Sequence, residues 1–497
     1  MGTAVVAVTN AVTAVNVTDD TATVAPATVA GLANLGIAAN VKNVITDYGA
    51  KGDGTTDDTT KLQQAIDDID TAAKGGVVYL PPGKTYYITQ ELQLRADHCT
   101  FYAVGATILG PVTHTTAGDL FTIGDRRTAS RVIDDAHLVG GCWQPQAAAD
   151  NAVGMIAATR SSVRGVVVTL PTGTASGGVL LETTASCTDV TIDGCIVTGG
   201  GAEGIRAGLT SASFVLTGLT ISNCICDGQV NGLVVRGDLD TAQVLSATIT
   251  NVSVRNCSGD ALQFYRLTDS TVSNCTAANV SGHGCYIYQP KNTVWSNLSL
   301  HSATTPTASK YGVITQNGTA GGSHLIRGVN IVGAWTAGVK NEAQDGQFAD
   351  IHVSGATTAV TNNAAARTVW RGLTYDGVTT PVSNVSTVTD DWVPRPQLVG
   401  TNFSTPVSAD NGDADVTLQA DTAARWQRFA TTLTANRTVT LSTTNAIRGD
   451  TFRVIRTGLG NFTLNVGGLK TIPSATAAFV DVVFTGAAWV LAGYGAL

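Results

Sequence analysis

Carboxyl, imidazole and amide groups recur at one position of a repeated sequence pattern. Glu203, Asp260 and His283 each precede a small residue that opens an apolar segment, and Asn231 occupies the same position between Glu203 and Asp260. Glycoside hydrolysis needs two carboxyl groups that flank the bond, one to protonate the leaving oxygen and one to activate water. These residues therefore have the chemistry to act on a glycan if the fold brings them into one column.

The number of repeats between the residues suggests their roles. Glu203 and Asp260 are two repeats apart, about 9.6 Å if each repeat advances by one strand spacing, which is near the upper limit for an inverting glycosidase. We assign Asp260 as the acid, Glu203 as the base and His283 as an orienting or proton-sharing partner. The side chains predicted to bind substrate are Arg206, Asn231, Gln263, Tyr286, Tyr288 and Lys340.

Two structural alternatives stay open. Asp, Asn and His are enriched where a non-glycine residue adopts the left-handed backbone conformation, and a residue before glycine at a coil corner can need that conformation. The aromatic residues either stack on sugar rings or form solenoid surface or a trimer interface. The aromatic residues concerned are Tyr265, Tyr286, Tyr288 and Trp295.

The repeat that must position these side chains has a period of 23 to 29 residues. Its small residues are Gly178, Gly204, Gly232, Ala261, Gly284, Gly312 and Gly338. Apolar and polar residues alternate after each of them, which is the period of a half-buried strand. The connections are rich in Gly, Ser, Asn and Thr, which argues against helical crossovers. The sequence therefore predicts a solenoid of stacked strands.

A second column of strands interleaves with the first. Its strands end at Cys195, Cys224, Cys257 and Cys275. The residues expected to form an Asn ladder at a turn are Asn223, Asn256, Asn274 and Asn297. The cysteines have no zinc-site spacing, so we interpret them as small buried residues and expect neither a metal nor a cofactor.

One helix is predicted before the solenoid, over residues 56–73. Its apolar face consists of Leu62, Ala65, Ile66 and Ile69. Asp57 and Asp58 lie near its N-terminal end, where the helix dipole favours acidic groups. We expect this helix to cover the first coil, because an uncovered end would expose unpaired strand edges.

Composition excludes several classes of partner. Only 13% of the 497 residues are charged and the net charge is −8, so there is no basic surface for nucleic acid. No apolar run approaches the roughly 20 residues that span a bilayer. No Lys or Arg precedes Lys42, so a secretory signal is not expected and release by host lysis would fit. The scarcity of charge favours subunit contacts.

The segment around the predicted helix resembles the opening of the pectate-lyase-like superfamily, which includes polygalacturonases and phage tailspike depolymerases. The resemblance is carried by residues 47–59 (DYGAKGDGTTDDT) and 75–83 (GGVVYLPPG) and, with the coils, extends over residues 41 to about 390. It implies an all-β, right-handed parallel β-helix and a polysaccharide ligand. Residues 258–261 (SGDA) and 281–284 (SGHG) are similar to polygalacturonase motifs, but Ala261 replaces a second Asp and Asn231 stands where an Asp belongs.

The resemblance also implies an organisation and a setting. Residues 1–40 are expected to attach to a phage tail or baseplate, 41–390 to form the β-helix, 391–400 a linker, and 401–497 a β-sandwich that trimerises, binds sugar or caps the solenoid. We expect a homotrimeric tailspike on the virion that recognises and degrades a bacterial surface polysaccharide outside the host cell. The alternatives are a non-enzymatic receptor-binding or structural tail protein and a secreted bacterial pectin-degrading enzyme.

Overall fold

Short parallel strands, each pairing with the strand one coil further along the chain, form most of this protein. The computed structural model describes residues 40–70, 75–112, 118–124, 131–146, 151–171, 177–209, 214–237, 243–304, 308–316, 322–343, 345–363, 368–384, 397–398, 408–420, 423–444, 446 and 448–497. The chain divides into two units, Met1–Tyr288 and Gln289–Leu497. Of residues 1–40, which are predicted to form an attachment segment, all but Asn40 lie outside the described part.

The first unit contains an eight-stranded parallel sheet, here called the site sheet. Its strands are Leu92–Leu94, Asp119–Ile123, Asn151–Met155, Gly177–Thr183, Glu203–Leu209, Asn231–Gly237, Leu262–Tyr265 and Cys285–Tyr288. Within this sheet each strand pairs with the strands one coil before and one coil after it, as a solenoid requires. The predicted solenoid is confirmed.

A second sheet of the first unit, here called the ladder sheet, receives two strands from each coil. Its first column contains Cys99–Tyr102, His137–Val139, Ser162–Arg164, Thr191–Asp193, Thr220–Ser222, Thr248–Thr250 and Thr271–Ser273. Its second column contains Thr107–Leu109, Cys142–Gln144, Val167–Leu170, Ile196–Gly199, Ile225–Asp227, Ser253–Arg255 and Thr276–Val280. The first coils add Val41–Asn43, Asp53–Asp57, Gly76–Tyr79 and Thr85–Tyr87. Small side sheets contain Ile133–Asp134 and Ala158–Thr159, and Cys187–Thr188, Val215–Thr217, Gln243–Leu245 and Leu267–Thr268.

Close contact between the two sheets explains the small residue of the repeat. A Cβ added at Gly204 would lie 2.7 Å from Cys226 Sγ, and one at Gly232 would lie 2.2 Å from Val254 Cγ1. Neither glycine has a positive φ, so packing, not backbone conformation, selects glycine here. The ladder-sheet side chain fills the space that a larger residue would need.

The helix spans Thr59–Asp70 and begins three residues later than predicted. Asp57 Oδ1 accepts the backbone N–H of Thr59 at 2.9 Å, so Asp57 caps the first turn. The carboxylate of Asp58 instead binds the loop before the helix, where it accepts the N–H groups of Lys51 at 2.7 Å and Gly52 at 2.9 Å. The predicted apolar face of the helix is buried throughout. No helix within the described ranges has the length and apolar character needed to cross a membrane.

The predicted Asn ladder is present, but as two ladders at different corners. Asn251 Nδ2 donates to Asn223 Oδ1 at 3.1 Å, whereas Asn279 Nδ2 donates to Asn256 Oδ1 at 2.7 Å. Asn274 follows the strand that pairs with Thr248–Thr250 and so belongs with Asn223. Placing Asn223 and Asn256 in one column was therefore wrong. Both corners need a left-handed residue, with φ near 55°, so both carry the same motif.

The nine cysteines are free thiols, and eight of them are buried. Burial raises the pKa of Cys257 to about 12 and that of Cys275 to about 11. These groups remain protonated and pack as small apolar side chains, as predicted. Among the described residues, no three His, Cys, Asp or Glu side chains are grouped so as to hold a metal ion.

The second unit begins with further coils. Its first parallel sheet contains Tyr311–Gln316, Ala337–Glu342, Thr358–Asn362 and Thr380–Asn384. Its other strands are Thr293–Ser302, His324–Val332, Gly346–Ser354, Val369–Arg371, Thr374–Asp376 and Gln397–Leu398. Gln397–Leu398 pairs with Thr374–Asp376, so a solenoid strand lies inside the segment predicted as a linker.

Residues 408–497 form two small sheets around one hydrophobic core. The five-stranded sheet contains Ser408–Asp410, Trp426–Phe429, Thr451–Arg456, Ala478–Phe484 and Trp489–Ala496. The four-stranded sheet contains Val416–Leu418, Arg437–Leu441, Leu464–Val466 and Lys470–Ile472. The first three strands of each sheet are parallel, unlike those of an antiparallel sandwich, and only the last strands pair antiparallel.

Aromatic side chains fill the second unit beside a buried histidine. The rings of Phe348 and Trp370 stack with centroids 4.0 Å apart, and His324 meets Phe348 and Trp295 edge-on. In the described part of the chain, Nε2 of His324 has no hydrogen-bond partner. Burial lowers the pKa of His324 to about 4, so the ring is neutral at neutral pH.

We expect Gly232→Ala to destabilise the protein by about 1–3 kcal/mol, because the added methyl group overlaps Val254. Gly208→Ala is the matched control. Gly208 is also a site-sheet glycine without positive φ, but its nearest atom would be 3.9 Å from an added Cβ. Urea unfolding of both variants measures the difference, and equal stability would contradict the packing explanation.

We also expect stability to fall on acidification through His324. The unfolded chain binds this proton near pH 6.5 and the folded chain only near pH 4, so the contribution is complete above pH 6.5 and is lost as the pH falls to 4. The loss should reach about 3 kcal/mol. Urea unfolding at pH 7 and pH 4 should show a smaller pH effect in His324→Gln than in the parent; an unchanged pH effect would contradict it.

Candidate functional site

The site sheet brings the four predicted column residues together, at or just before the first residues of four consecutive strands. Glu203 pairs with Asn231 in register. The N–H of Asp260 donates to Asn231 Oδ1 at 3.1 Å, and the N–H of His283 donates to Asp260 Oδ1 at 2.7 Å. Glu203 and Asp260 are therefore two strands apart, about 9.6 Å at the backbone.

None of these four residues has a left-handed backbone, so the corner explanation of this column is wrong. The residues that do turn corners in this conformation lie at the ladder sheet, as Asn223 and Asn256 do. Glu203 and Asn231 instead begin their strands, and Asp260 and His283 lie two residues before theirs. Two of the four, Asn231 and Asp260, accept a backbone N–H of the next coil. The structural role of Asn231 and Asp260 is therefore to link successive coils through their side chains, not to adopt a left-handed turn.

Both carboxylate oxygens of Asp260 accept hydrogen bonds from protein groups. Its Oδ1 holds the backbone of His283, and its Oδ2 accepts Gln263 Nε2 at 3.0 Å. Gln263 Nε2 also lies 3.3 Å from Asn231 Oδ1. An acid that protonates a leaving oxygen needs a free carboxyl edge, so Asp260 can serve as one only when Gln263 releases Oδ2.

An ion cluster lies at the start of the column. Arg206 Nη1 donates to Glu203 Oε2 at 2.8 Å, and Arg206 Nη2 contacts Glu182 Oε1. The side chains of Glu203 and Arg206 are 12% and 20% exposed, so water screens this cluster only in part. The guanidinium favours the carboxylate form of Glu203, so Glu203 can act as the predicted base only when Arg206 leaves it an oxygen free for water.

Tyrosine rings cover the other end of the site sheet. Tyr265 lies with its ring centroid 5.3 Å from that of Tyr286 and 5.9 Å from that of Tyr288. The His283 ring is 5.8 Å from Tyr286, and the Arg266 guanidinium lies 5.9 Å over Tyr288. All three tyrosines are partly exposed. This end offers ring faces for the apolar faces of sugars.

Two of the residues predicted to contact the ligand, Trp295 and Lys340, lie in the second unit. Trp295 is fully buried in the core of the second unit and cannot stack on a ligand, so that suggestion was wrong. Lys340 also belongs to the second unit, where its Nζ bonds Glu342 at 2.7 Å and lies 5.0 Å over the Tyr311 ring. Burial lowers the pKa of Lys340, but the Glu342 carboxylate outweighs it and the pKa lies above its ordinary value.

The sequence-based prediction missed Asp119, Asn151, Glu182 and Arg236, which belong to the same rows. Asp119 and Asn151 extend the column upstream, with Asn151 Nδ2 donating to Asp119 Oδ1 at 2.9 Å. Next to the column, a second row in register contains Arg206, Val234, Gln263 and Tyr286. A third row, in register along five strands, contains Glu182, Gly208, Arg236, Tyr265 and Tyr288. Counting the repeat upstream from Gly178 would have found Asn151, 26 residues before Gly177. The third row could be identified only from the strand register of the structure.

Family models match two parts of the chain. Residues 41–118 match "Rhamnogalacturonase A/epimerase, pectate lyase-like", and residues 177–364 match "Right handed beta helix region". An iota-carrageenase of Zobellia galactanivorans is 44% identical over 61 residues, which is 12% of this chain and 12% of that relative. The chain thus matches only a small part of the length of that curated relative.

Solved structures with the same fold include an adhesin and a tailspike. The surface adhesin PfbA of Streptococcus pneumoniae has a TM-score of 0.53 at 15% identity, covering 69% of this chain and 94% of that one. A mutant tailspike of the E. coli bacteriophage HK620, solved in complex with a hexasaccharide, has a TM-score of 0.50 at 11% identity, covering 89% and 84%. At these identities the likeness is one of fold.

We expect Asp260→Ala to destabilise the protein by about 1–3 kcal/mol, because the N–H of His283 and the Gln263 amide lose their acceptor. Asp260→Asn keeps one oxygen for the His283 N–H and should cost less than half as much. Urea unfolding measures both. Equal losses in the two variants, or none in either, would contradict the structural task of this carboxylate.

Proposed function

We propose that this chain, a member of the pectate lyase-like right-handed β-helix superfamily, binds a bacterial surface polysaccharide along the site sheet of its first unit. One observation carries the proposal: three rows in register hold an acid and guanidinium cluster and a tyrosine cluster on the same sheet, with one strand, Asn231–Gly237, between them. Sugars need both kinds of group, hydrogen-bonding groups for hydroxyls and aromatic faces for ring C–H groups. The tailspike of phage HK620, which shares the fold, was solved with a bound hexasaccharide.

We further propose that the protein acts as a phage tailspike that cleaves this polysaccharide. In the inverting mechanism Asp260 protonates the glycosidic oxygen while Glu203 takes a proton from the water that attacks the anomeric carbon. The separation of about 9.6 Å between the backbones of Glu203 and Asp260 leaves room for that water. Attachment to a virion through residues 1–40 and assembly into a homotrimer belong to the same proposal.

Binding without cleavage is the second candidate. The observation that favours it is the double use of Asp260, whose oxygens both accept hydrogen bonds from protein groups. If these bonds persist when a glycan is bound, Asp260 has no free edge for proton transfer. The protein would then be a receptor-binding component on the same scaffold.

We expect the full chain to bind at least one polysaccharide in a panel of capsules, lipopolysaccharide O-chains, polygalacturonate, iota-carrageenan and alginate. Tyr286→Ala should weaken binding about tenfold, equivalent to about 1.4 kcal/mol. Tyr102→Ala is the matched control, because Tyr102 is an exposed tyrosine of the ladder sheet. An equal loss in both variants, or no binding to any polymer, would overturn the placement of the site.

Product analysis of the same incubations separates cleavage from binding. New reducing ends without ultraviolet absorbance from unsaturated sugars indicate hydrolysis, and bound polymer without either signal indicates binding alone. If the protein hydrolyses the polymer, Asp260→Asn should lower turnover by roughly 10² to 10⁴. Undiminished turnover would overturn the acid role of Asp260 and leave the binding site standing.

A further inference from the structure

We propose a second carbohydrate-binding site on the outer face of the five-stranded sheet in residues 408–497, for a neutral sugar residue of a polysaccharide. This surface, here called the platform, consists of Trp426, Arg453, Asp481 and Phe479 with the flanking Gly493 and Gly495. It involves none of the residues assigned above. The proposal for the platform can therefore be tested separately from the proposal for the site sheet.

Strand register places the platform residues in two adjacent rows. Trp426 pairs with Arg453, Arg453 with Asp481, and Asp481 with Gly493. In the next row Arg428 pairs with Ile455, Ile455 with Phe479, and Phe479 with Gly495. Alternation along the strand turns Gln427 and Phe429 into the core, so Trp426 faces outward.

Trp426 is 48% exposed, although its strand is not at the edge of the sheet. An indole of this size normally buries most of its surface when the fold allows it. In the strand register Trp426 stands opposite Arg453, whose guanidinium is held in place by Asp481. Such a pairing of a ring face with fixed donors and acceptors suits a pyranose, which has an apolar ring face and a rim of hydroxyls.

Arg453 is fixed by two neighbours. Its Nε and Nη2 donate to the two oxygens of Asp481, both at 2.7 Å, and its guanidinium lies 4.7 Å over the Phe479 ring. Asp481 takes two of the five N–H groups of the guanidinium, which leaves donors for sugar hydroxyls. Because this geometry exists before a ligand arrives, binding loses little side-chain entropy.

Two glycines leave the edge strand without side chains on the outer face of the platform. A Cβ at Gly495 would lie 2.7 Å from the Phe479 ring, and one at Gly493 would lie 3.3 Å from Asp481 Oδ2. Neither glycine has a positive φ, so the backbone does not require glycine at either position. Their effect is to let the Phe479 ring lie over the edge strand and to leave the ion pair accessible.

The charge pattern favours a neutral sugar over a protein partner. The central charges of the platform cancel as Arg453 with Asp481, and in the next row Arg428 stands opposite Asp410. A protein interface depletes charge at its centre and buries about 800 Å² on each side. The platform has an ion pair at its centre, which a protein partner would have to desolvate.

Affinity electrophoresis of the full chain tests the platform. The probes are gels that contain dextran, mannan, galactan or starch, which are neutral polymers. We expect at least one gel to slow the parent protein, and Trp426→Ala and Arg453→Met to reduce the retardation at least tenfold. Tyr494→Ala is the matched control, since Tyr494 is an exposed aromatic residue of the same sheet that contacts Lys470 and not the platform.

Three further results of these experiments would count for or against the platform. Absence of retardation of the parent in all four gels, or retardation of Trp426→Ala equal to that of the parent, overturns the proposal. Sedimentation of parent and Trp426→Ala must give the same mass, because a lower mass in the variant would make the platform an interface between copies of the chain. Tyr286→Ala should be slowed like the parent, which separates this site from the one on the site sheet.

Discussion

Backbone hydrogen bonding between successive coils is the constraint on which the rest of this structure depends. Each strand of a coil must donate to and accept from the strand one coil away, at about 4.8 Å. The strands therefore stay in register even where the connections between them differ in length. Insertions in the loops leave the columns intact, and side chains that are 23 to 29 residues apart in the chain become neighbours. Every column described here, whether of glycine, asparagine, cysteine or carboxylate, follows from that register.

The register also explains which predictions succeeded. The glycine column was predicted correctly because its cause lies within one coil and recurs in successive coils: Val197, Cys226 and Val254 leave no room for a larger residue at Gly178, Gly204 and Gly232. The Asn column was misassigned because two corners of one coil make the same demand on φ. A motif shared by two corners cannot reveal to which corner it belongs. Only the pairing of Thr220–Ser222 with Thr248–Thr250 separates them.

The candidate site was predictable in its rows but not in its bonds. Counting repeats placed Glu203, Asn231, Asp260 and His283 in one column. It could not show that Arg206 bridges Glu203 and Glu182, or that Gln263 occupies Asp260 Oδ2, because those contacts depend on rotamers and on a row three residues away. Trp295 was misplaced for a related reason. In a strand of ten residues, Thr293–Ser302, the alternation of buried and exposed positions shifts along its length, and its sequence alone does not fix which face a given residue takes.

The same constraint decides how a solenoid can hold a binding surface without losing stability. Backbone bonds join the coils, so an outward side chain is free to vary provided that it does not leave a backbone group of the next coil without its partner. Asn231 and Asp260 are residues of this kind that cannot vary freely, since the side chain of each accepts a backbone N–H of the next coil.

In residues 408–497 the backbone again provides the stability, but through a different arrangement of strands. Their sheets start as parallel strands and end with antiparallel ones. The last strand, Trp489–Ala496, carries Gly493 and Gly495 in the rows of Arg453 and Phe479, so its backbone adds to the sheet while its outer face stays open. In both regions the backbone provides the stability, and the outward rows are left for recognition.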